Sequence, residues 1–521
     1  QPGVPFVLFN PTAWPRTETV EVELQFEHDD VTANGFHLVD AGDQVVAHQR
    51  ISESRLFETE VGKNNDLRCV RVAMPLQALP ACGYRVYYAQ PGPAPSPPAV
   101  EHPVRTFGRG LENRYLRVTI ETDGTLTLWD KETGCTFEHL GYLVDEEDAG
   151  DEYDYAPCPH PERISTWGEP AEVRLLYAGP LQAAYEIVRE LALPVSLTAD
   201  RQRRHDQRVR CPVTTTVTLH RDSRRVDLRT MIENRAQDHC LRVCFPTHIQ
   251  TDVAHADGHF DVLARPIDRP PGEDWDQPPV PTKHQRYFVD LSDGRGGLAI
   301  YNRGLAEYEV LREQAAGVDR GRNTIALTLL RCVGYLSRGE GDMPTRPALA
   351  GPPLPTPEAQ CLGTHTFEYA LVPHPGDWRT IYRDAYTYRA PVYVRRGTEH
   401  EGYKPTPSDI ETWGTAGLKP LDLNGDLPGE LSFLAVQPET VTLSAVKRSE
   451  RGDALIIRIY NPTSEDVEAT IRLSRSLRSV QEVALHEEPL AELVAGADGQ
   501  ITLPLAGKQV KTLAVQIGVT D

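Results

Sequence analysis

The chain has 521 residues, 40% of them hydrophobic and 25% charged, with 43 Pro, 39 Gly and a formal net charge of −21. A chain this long exceeds one hydrophobic core, and its wealth of turn residues favours many strands over long helices, giving an all-β class with several domains. The negative charge repels phosphate backbones and anionic bilayers, which excludes nucleic-acid and membrane-surface roles, and nine cysteines without paired zinc spacing favour a reducing, cytoplasmic setting over a disulfide framework.

From Val4 to Tyr88, apolar residues recur at every second position in VPFVLFN, TVEVELQF, LRCVRVAMPL and YRVYYA, which reads as a small antiparallel β domain over residues 1–92. It ends in QPGPAPSPPAV, whose prolines forbid a helix and favour an extended spacer, assigned to 93–104. A large sandwich is expected over 105–376. Its strands are read at Arg114–Ile120, Leu126–Asp130, Glu172–Tyr177, Ala183–Leu193, Val213–Leu219, Arg225–Ile232, Leu241–Phe245, Gly297–Tyr301, Ile325–Leu330 and His365–Val372. Asp123-Gly124 predicts a two-residue hairpin turn. Asp377–Tyr388 is the one clear helix candidate, inside a connector over 377–428. Seven further strands from LSFLAV to VKTLAVQI predict an independent two-sheet sandwich over 429–521, with Asn461-Pro462 and Asp498-Gly499 as turns.

Seven acids crowd Asp145–Asp154, followed by Tyr155 and Pro157. As a solvated loop, its plainest reading, this segment repels itself; contact with a polar ligand and ligation of a hard cation are the alternatives, and Tyr153 is the residue best suited to stack on a sugar and recognise its hydroxyls. The acids match no calcium-loop register. His255, Asp257 and His259 would share one face of a strand and suit zinc, whereas a turn at Asp257-Gly258 would scatter them. Cys240 and Cys244 read as buried apolar residues. The arginines of Asp200–Arg210 suggest an exposed hairpin tip or partners for acids elsewhere. No nucleophile elbow, P-loop or dinucleotide fingerprint is present in the sequence.

Several segments in a fixed order, VLFNPTAWPR, ENRYLRVTIETDGTLTLWDKETG, GDEYDYAP, RYFVDLSDGRGGLAIYNRGLAEYEV, LTLLRCVGYLSR, TPEAQCLGTHTFEYAL and IIRIYNPT, resemble the carboxy-terminal β-rich half of glycoside hydrolase family 38, the α-mannosidases. The resemblance implies a large central mutarotase-like supersandwich between a small amino-terminal β domain and a carboxy-terminal β-sandwich. It implies a retaining hydrolase of α-mannosides whose zinc, nucleophile, barrel and helical bundle precede the segment at which this chain starts. The chain begins at Gln1, consistent with a trimmed or separately encoded product. The residues carried over as substrate contacts are Tyr153 and Asp151 of the GDEY segment and Arg346, for which pairing with Asp342 is the structural alternative. No catalytic residue, metal ligand or cofactor is expected in this chain; zinc belongs to the barrel, and the partners are that barrel, the helical domain and a mannoside. A stand-alone carbohydrate-binding or scaffolding sandwich is the alternative function. A distinct enzyme of the supersandwich type would instead need a His and Glu to converge, from a set including His139, His248, His255, His259 and His284.

Overall fold

The structure is a computed structural model. It describes the chain except residues 1–2, 28–29, 61–62, 97, 274, 276, 278, 313–322, 340–342, 344, 347, 397–427, 495, 497–498 and 519–521. Strands are the dominant element of the described residues, with one α-helix at Tyr382–Arg389. Among them no helix is long and apolar enough to cross a membrane.

The amino-terminal sheets illustrate why these sequences become strands. In Arg16–Glu27 the side chains of Val22, Leu24 and Phe26 are buried while Glu21 and Glu23 alternate outward, so only a period of two puts the apolar set on the core. That core joins Phe6, Leu8, Leu38, Val70, Val72 and Met74 across a three-stranded and a six-stranded sheet. The six-stranded sheet takes in more than residues 1–92: Tyr393–Arg396 pairs with Val4–Asn10, and Glu430–Ser432 pairs with Gly83–Pro91. Those two short strands, read from sequence as connector and as sandwich, therefore belong to the first sheet.

The central region stacks three sheets of five, six and nine strands around one core. Val118 and Leu128 come from the first, Leu241 and Leu327 from the second, Val217, Leu228, Ile300 and Leu371 from the third, and all are buried together. The hairpin at Asp123-Gly124 is longer than a two-residue turn. The strands Leu116–Ile120 and Leu126–Asp130 are joined through Glu121, whose N–H donates to the Thr125 carbonyl at 2.8 Å, and only Gly124 has a positive φ, 72°. Asp123 Oδ1 accepts from the Thr125 N–H at 3.0 Å and hydroxyl at 2.7 Å, so the aspartate acts as a local cap.

The carboxy-terminal sandwich sets a three-stranded sheet against a five-stranded one. Its core includes Ile457, Ile471, Ile501 and Leu513, and also Ala13 and Trp14 from the other end of the chain. The two Asn-Pro-Thr segments fold alike: Asn10 and Asn461 each accept from the N–H of the following Thr, Thr12 or Thr463, at 3.0 Å and from its hydroxyl at 2.7 Å. The helix candidate is a 3-10 turn, Trp378–Thr380, running into the helix Tyr382–Arg389. Asp498 lies outside the described residues.

Candidate functional site

The acidic segment is not a solvated loop. Its first three acids lie on the strand Tyr142–Glu147, which pairs with His239–Pro246, and the chain turns only after Glu147. All of its carboxylates but the exposed Glu152 meet a partner. Asp145, 1% exposed, binds Arg204 through Oδ1 and His239 Nδ1 at 2.6 Å through Oδ2. Glu146 pairs with Arg242, and Glu147 accepts the Glu162 N–H at 3.0 Å. Asp148 takes Arg331 Nε at 2.8 Å and the Gly150 N–H at 2.8 Å. Burial, the largest influence, raises the Asp148 carboxyl above its ordinary range although Arg331 opposes it.

Asp151 is the hub. It is fully buried, and its Oδ1 accepts the N–H groups of Tyr153 and Asp154 at 3.0 and 3.1 Å. Its Oδ2 accepts the Arg338 N–H at 2.8 Å and Arg346 Nη2 at 2.6 Å. Burial is the strongest single influence and acts upward, but the hydrogen bonds from Arg346 and from the backbone outweigh it and hold the acid below the usual carboxylate range. Arg346 also pairs with Asp154 through Nη1 and donates from Nε to the Ala348 carbonyl at 2.8 Å. Gln277 Nε2 completes Asp154 at 2.6 Å.

Asp151 and Arg346, both carried over from the resemblance as substrate contacts, are bound to one another. Asp151 has no lone pair left for a substrate, and Arg346 is 7% exposed with each guanidinium nitrogen already engaged. Both shape the turn that carries Tyr153. Asp342, the proposed alternative partner of Arg346, lies outside the described residues.

What the clamp displays is Tyr153. Its side chain is 52% exposed, with the Arg346 guanidinium 5.9 Å from the ring centroid. The ring lies against Gly351, where an added Cβ would sit 2.8 Å from the phenol oxygen; only a residue without a side chain lets the loop approach this closely. Tyr335, Leu349, Leu354 and Trp275 are exposed on the segments that hold or flank this turn. Glu152 N–H is held by the Tyr335 carbonyl at 3.1 Å, and Tyr335 bridges to Pro355.

The arginine-rich stretch supplies partners rather than a free tip. Arg204 is buried on Asp145, Arg203 pairs with Asp206, and Arg208 pairs with Glu162. Cys240 and Cys244 are buried. His255 and Asp257 share the strand Val253–Asp257, but the chain leaves it before His259, which stacks on His284 with centroids 6.1 Å apart. Among the described residues no three His, Cys, Asp or Glu side chains converge as a metal requires. These residues do not fit zinc. The sequence reading also missed Arg331 and Arg338, whose side chains hold the turn from positions far along the chain; their only signal was that so many crowded acids need cations.

The glycosyl hydrolases family 38 C-terminal domain model matches residues 111–340, and the family 38 C-terminal beta sandwich domain model matches residues 440–513, together more than half of the chain. The chain belongs to glycoside hydrolase family 38. A provisionally named mannosylglycerate hydrolase of Halalkalibacterium halodurans is 28% identical over 392 residues, 73% of this chain and 39% of that protein. Alpha-mannosidase 2C1 of Mus musculus is 24% identical over 280 residues, 52% of this chain and 21% of that protein. The crystal structure of a family 38 glycosyl hydrolase from Enterococcus faecalis superposes with a TM-score of 0.77 at 26% identity, covering 98% of this chain and 58% of that one. This family 38 chain thus spans well under two thirds of the length of each of these relatives.

Proposed function

We propose that this chain is the β-rich portion of an α-mannosidase-type retaining glycoside hydrolase, and that it presents Tyr153 to a mannoside bound in an active site completed by a barrel and helical region outside these residues. On this reading the nucleophile, the general acid and the zinc belong to that region. The observation that carries the proposal is the exposed phenol of Tyr153 on a turn whose aspartates, Asp148, Asp151 and Asp154, are each paired with an arginine. Such a mount spends its polar groups on rigidity and leaves one aromatic hydroxyl for a ligand. The exposed Trp275, Tyr335, Leu349 and Leu354 around it are the kind of surface that a neighbouring domain covers.

A retaining mechanism needs two carboxyl groups about 5–5.5 Å apart, free to reach opposite sides of the glycosidic bond. Asp145, Asp148, Asp151 and Asp154 are each tied to an arginine, which suits support and not attack. The test is hydrolysis of an aryl α-mannoside with added zinc. The chain alone is expected to show no turnover, and addition of a barrel-bearing partner to restore it; robust hydrolysis by the isolated chain overturns the proposal. Saturable, Tyr153-dependent binding of methyl α-mannoside by a chain that no barrel partner activates would instead favour a stand-alone sugar-binding sandwich.

A further inference from the structure

The first β domain, the central region and the carboxy-terminal sandwich meet at a two-chambered cleft. One chamber, of about 450 Å³, lies among residues 14–18, the turn and helix over 378–384, and Glu439 and Pro462 of the sandwich. The other, of about 360 Å³, lies among residues 17–19, the turn that joins the strands Arg208–His220 and Val226–Asn234, and the end of the strand Gly363–Pro375. Thr17, Glu18, Thr380 and Asp384 line both chambers, so the two adjoin. Each falls within the roughly 300–1,000 Å³ of small-molecule sites, which occur preferentially at domain junctions.

The wall of the cleft is a ladder of polar groups around one guanidinium. Arg225 donates from Nε to Asp227 Oδ1 at 2.8 Å and from Nη1 to Asp384 Oδ1 at 3.3 Å, and its Nη2 lies 3.7 Å from Glu18 Oε2. Arg16 Nε donates to Glu18 at 2.6 Å, and His220 Nε2 lies 3.1 Å from Asp227 Oδ2. Three carboxylates therefore share two arginines and a histidine, which leaves the ladder close to neutral and short of donors. The acids of the rim are matched by cations, Glu439 by Arg383, Glu132 by Arg224 and Asp222 by Arg221. Asp384 is the open member of the ladder, its side chain 44% exposed against 11% for Arg225. Two further groups lining the cleft have unmet capacity. The hydroxyl of Thr19, a residue 5% exposed, and Nδ1 of His220, 8% exposed, meet no hydrogen-bond partner among the described residues.

We infer that this cleft binds a neutral polyol of about hexose size, whose neighbouring hydroxyls donate to the Asp384 carboxylate, with His220 and Thr19 as further partners deeper in the wall. The chemistry of the wall selects that class. A carboxylate accepts and cannot donate, and an imidazole whose Nε2–H faces Asp227 offers only a lone pair at Nδ1, so both want O–H donors. An anion would face three carboxylates, and a cation would find them already shared among Arg16, Arg225 and His220. A ligand seated there touches all three regions at once. None of the residues that hold the Tyr153 turn lines this cleft, so the inference stands apart from the mannoside reading.

Polyols stabilise folded proteins without binding them, so the test reads the ligand and not the melting temperature. Saturation-transfer NMR of the whole chain is run with D-mannitol and with D-mannose, each titrated to about 50 mM. The expected result is saturable transfer to at least one of them with a millimolar Kd, weakened about tenfold in Asp384→Ala through loss of the charge-assisted hydrogen bonds. Absence of saturable transfer to both probes, or transfer that Asp384→Ala leaves unchanged, overturns the inference. If that variant does not fold, Thr17→Trp serves, since it fills the cleft from an exposed position on the wall common to both chambers. It should abolish the transfer, and undiminished transfer overturns the proposal. Saturable binding of putrescine with none of either polyol would assign the cleft to an ammonium ion and overturns it as well.

Discussion

Tyr153 and Asp151 are two residues apart and do opposite jobs. The aspartate is buried with both oxygens saturated, while the tyrosine stands half in solvent on the turn that the aspartate forms. Removing the phenol oxygen removes one polar contact to ligand and leaves the mount intact. In enzyme completed by its barrel region, Tyr153→Phe is expected to lower kcat/KM about 10- to 100-fold, the worth of one hydrogen bond of roughly 1.5–3 kcal/mol, with the melting temperature unchanged. Steady-state kinetics beside thermal melts check this. Equal loss of stability and activity would assign Tyr153 to the fold instead. Gly351→Ala should act on the same phenol by displacement, because the new Cβ would stand 2.8 Å from its oxygen; a drop in kcat/KM without loss of secondary structure is the expected result. Arg346→Ala differs from both. It leaves the buried carboxyl of Asp151 without its guanidinium, which costs about 3–5 kcal/mol when one member of a buried pair is removed, and a fall in the urea midpoint reads it.

At the scale of elements, the helix Tyr382–Arg389 joins the central region to the carboxy-terminal sandwich through hydroxyls. Thr442 Oγ1 donates to the Tyr382 hydroxyl at 3.1 Å, Tyr382 and Tyr460 hydroxyls are 2.9 Å apart, those of Tyr386 and Tyr460 2.5 Å apart, and Tyr386 donates to Asp257 Oδ1 at 3.1 Å. Asp257 Oδ2 is buried and meets no donor. Burial pushes this acid up to about 7, with Arg286 and Tyr386 opposing. The folded state thus binds a proton that the unfolded chain, with an ordinary carboxyl near about 4, releases earlier. The associated stability is fully present below about 4 and is lost as pH rises through 7. Asp257→Asn should therefore flatten the fall in stability between about pH 4 and 7, measured as urea midpoints at each pH; parallel profiles for the two proteins would show that Asp257 does not titrate in that window. Strands such as Leu126–Asp130 were legible because apolar and polar residues alternate where one face is buried. Tyr142–Glu147 was not, because Asp145 and Glu147 occupy buried positions that arginine and backbone partners make tolerable, and a pattern of apolar alternation does not register them.

For the whole molecule, the sheets do not divide at the boundaries that composition suggests. Trp14, read as part of the first domain, is buried in the core of the last, where its Nε1 donates to Thr387 Oγ1 at 3.0 Å, and Glu430–Ser432 extends the first sheet. The ends of the chain are consequently coupled. Trp14→Ala should destabilise the carboxy-terminal sandwich by about 3–5 kcal/mol although the substitution lies more than four hundred residues away in sequence; hydrogen exchange of amides in Leu455–Tyr460 and Val510–Ile517 reads that effect. Protection unchanged in those strands would mean that the sandwich stands without the amino-terminal segment.

Sequence by itself determined the all-β class, most strands of the three regions, the ordered segments that mark family 38 and the choice of Tyr153 as the residue to watch. These rest on local periodicity and on short motifs, which survive in a linear text. The fate of the acids was decided only by tertiary structure. Asp145 finds Arg204 59 residues away, Asp148 finds Arg331 183 away, and Asp151 finds Arg346 195 away. Whether a carboxylate repels its neighbours, binds a ligand or braces a turn depends on which cation is brought within about 3 Å and how much water is removed. Both are properties of the packed sheets, and they turned a crowded acidic run into the rigid support of one exposed tyrosine.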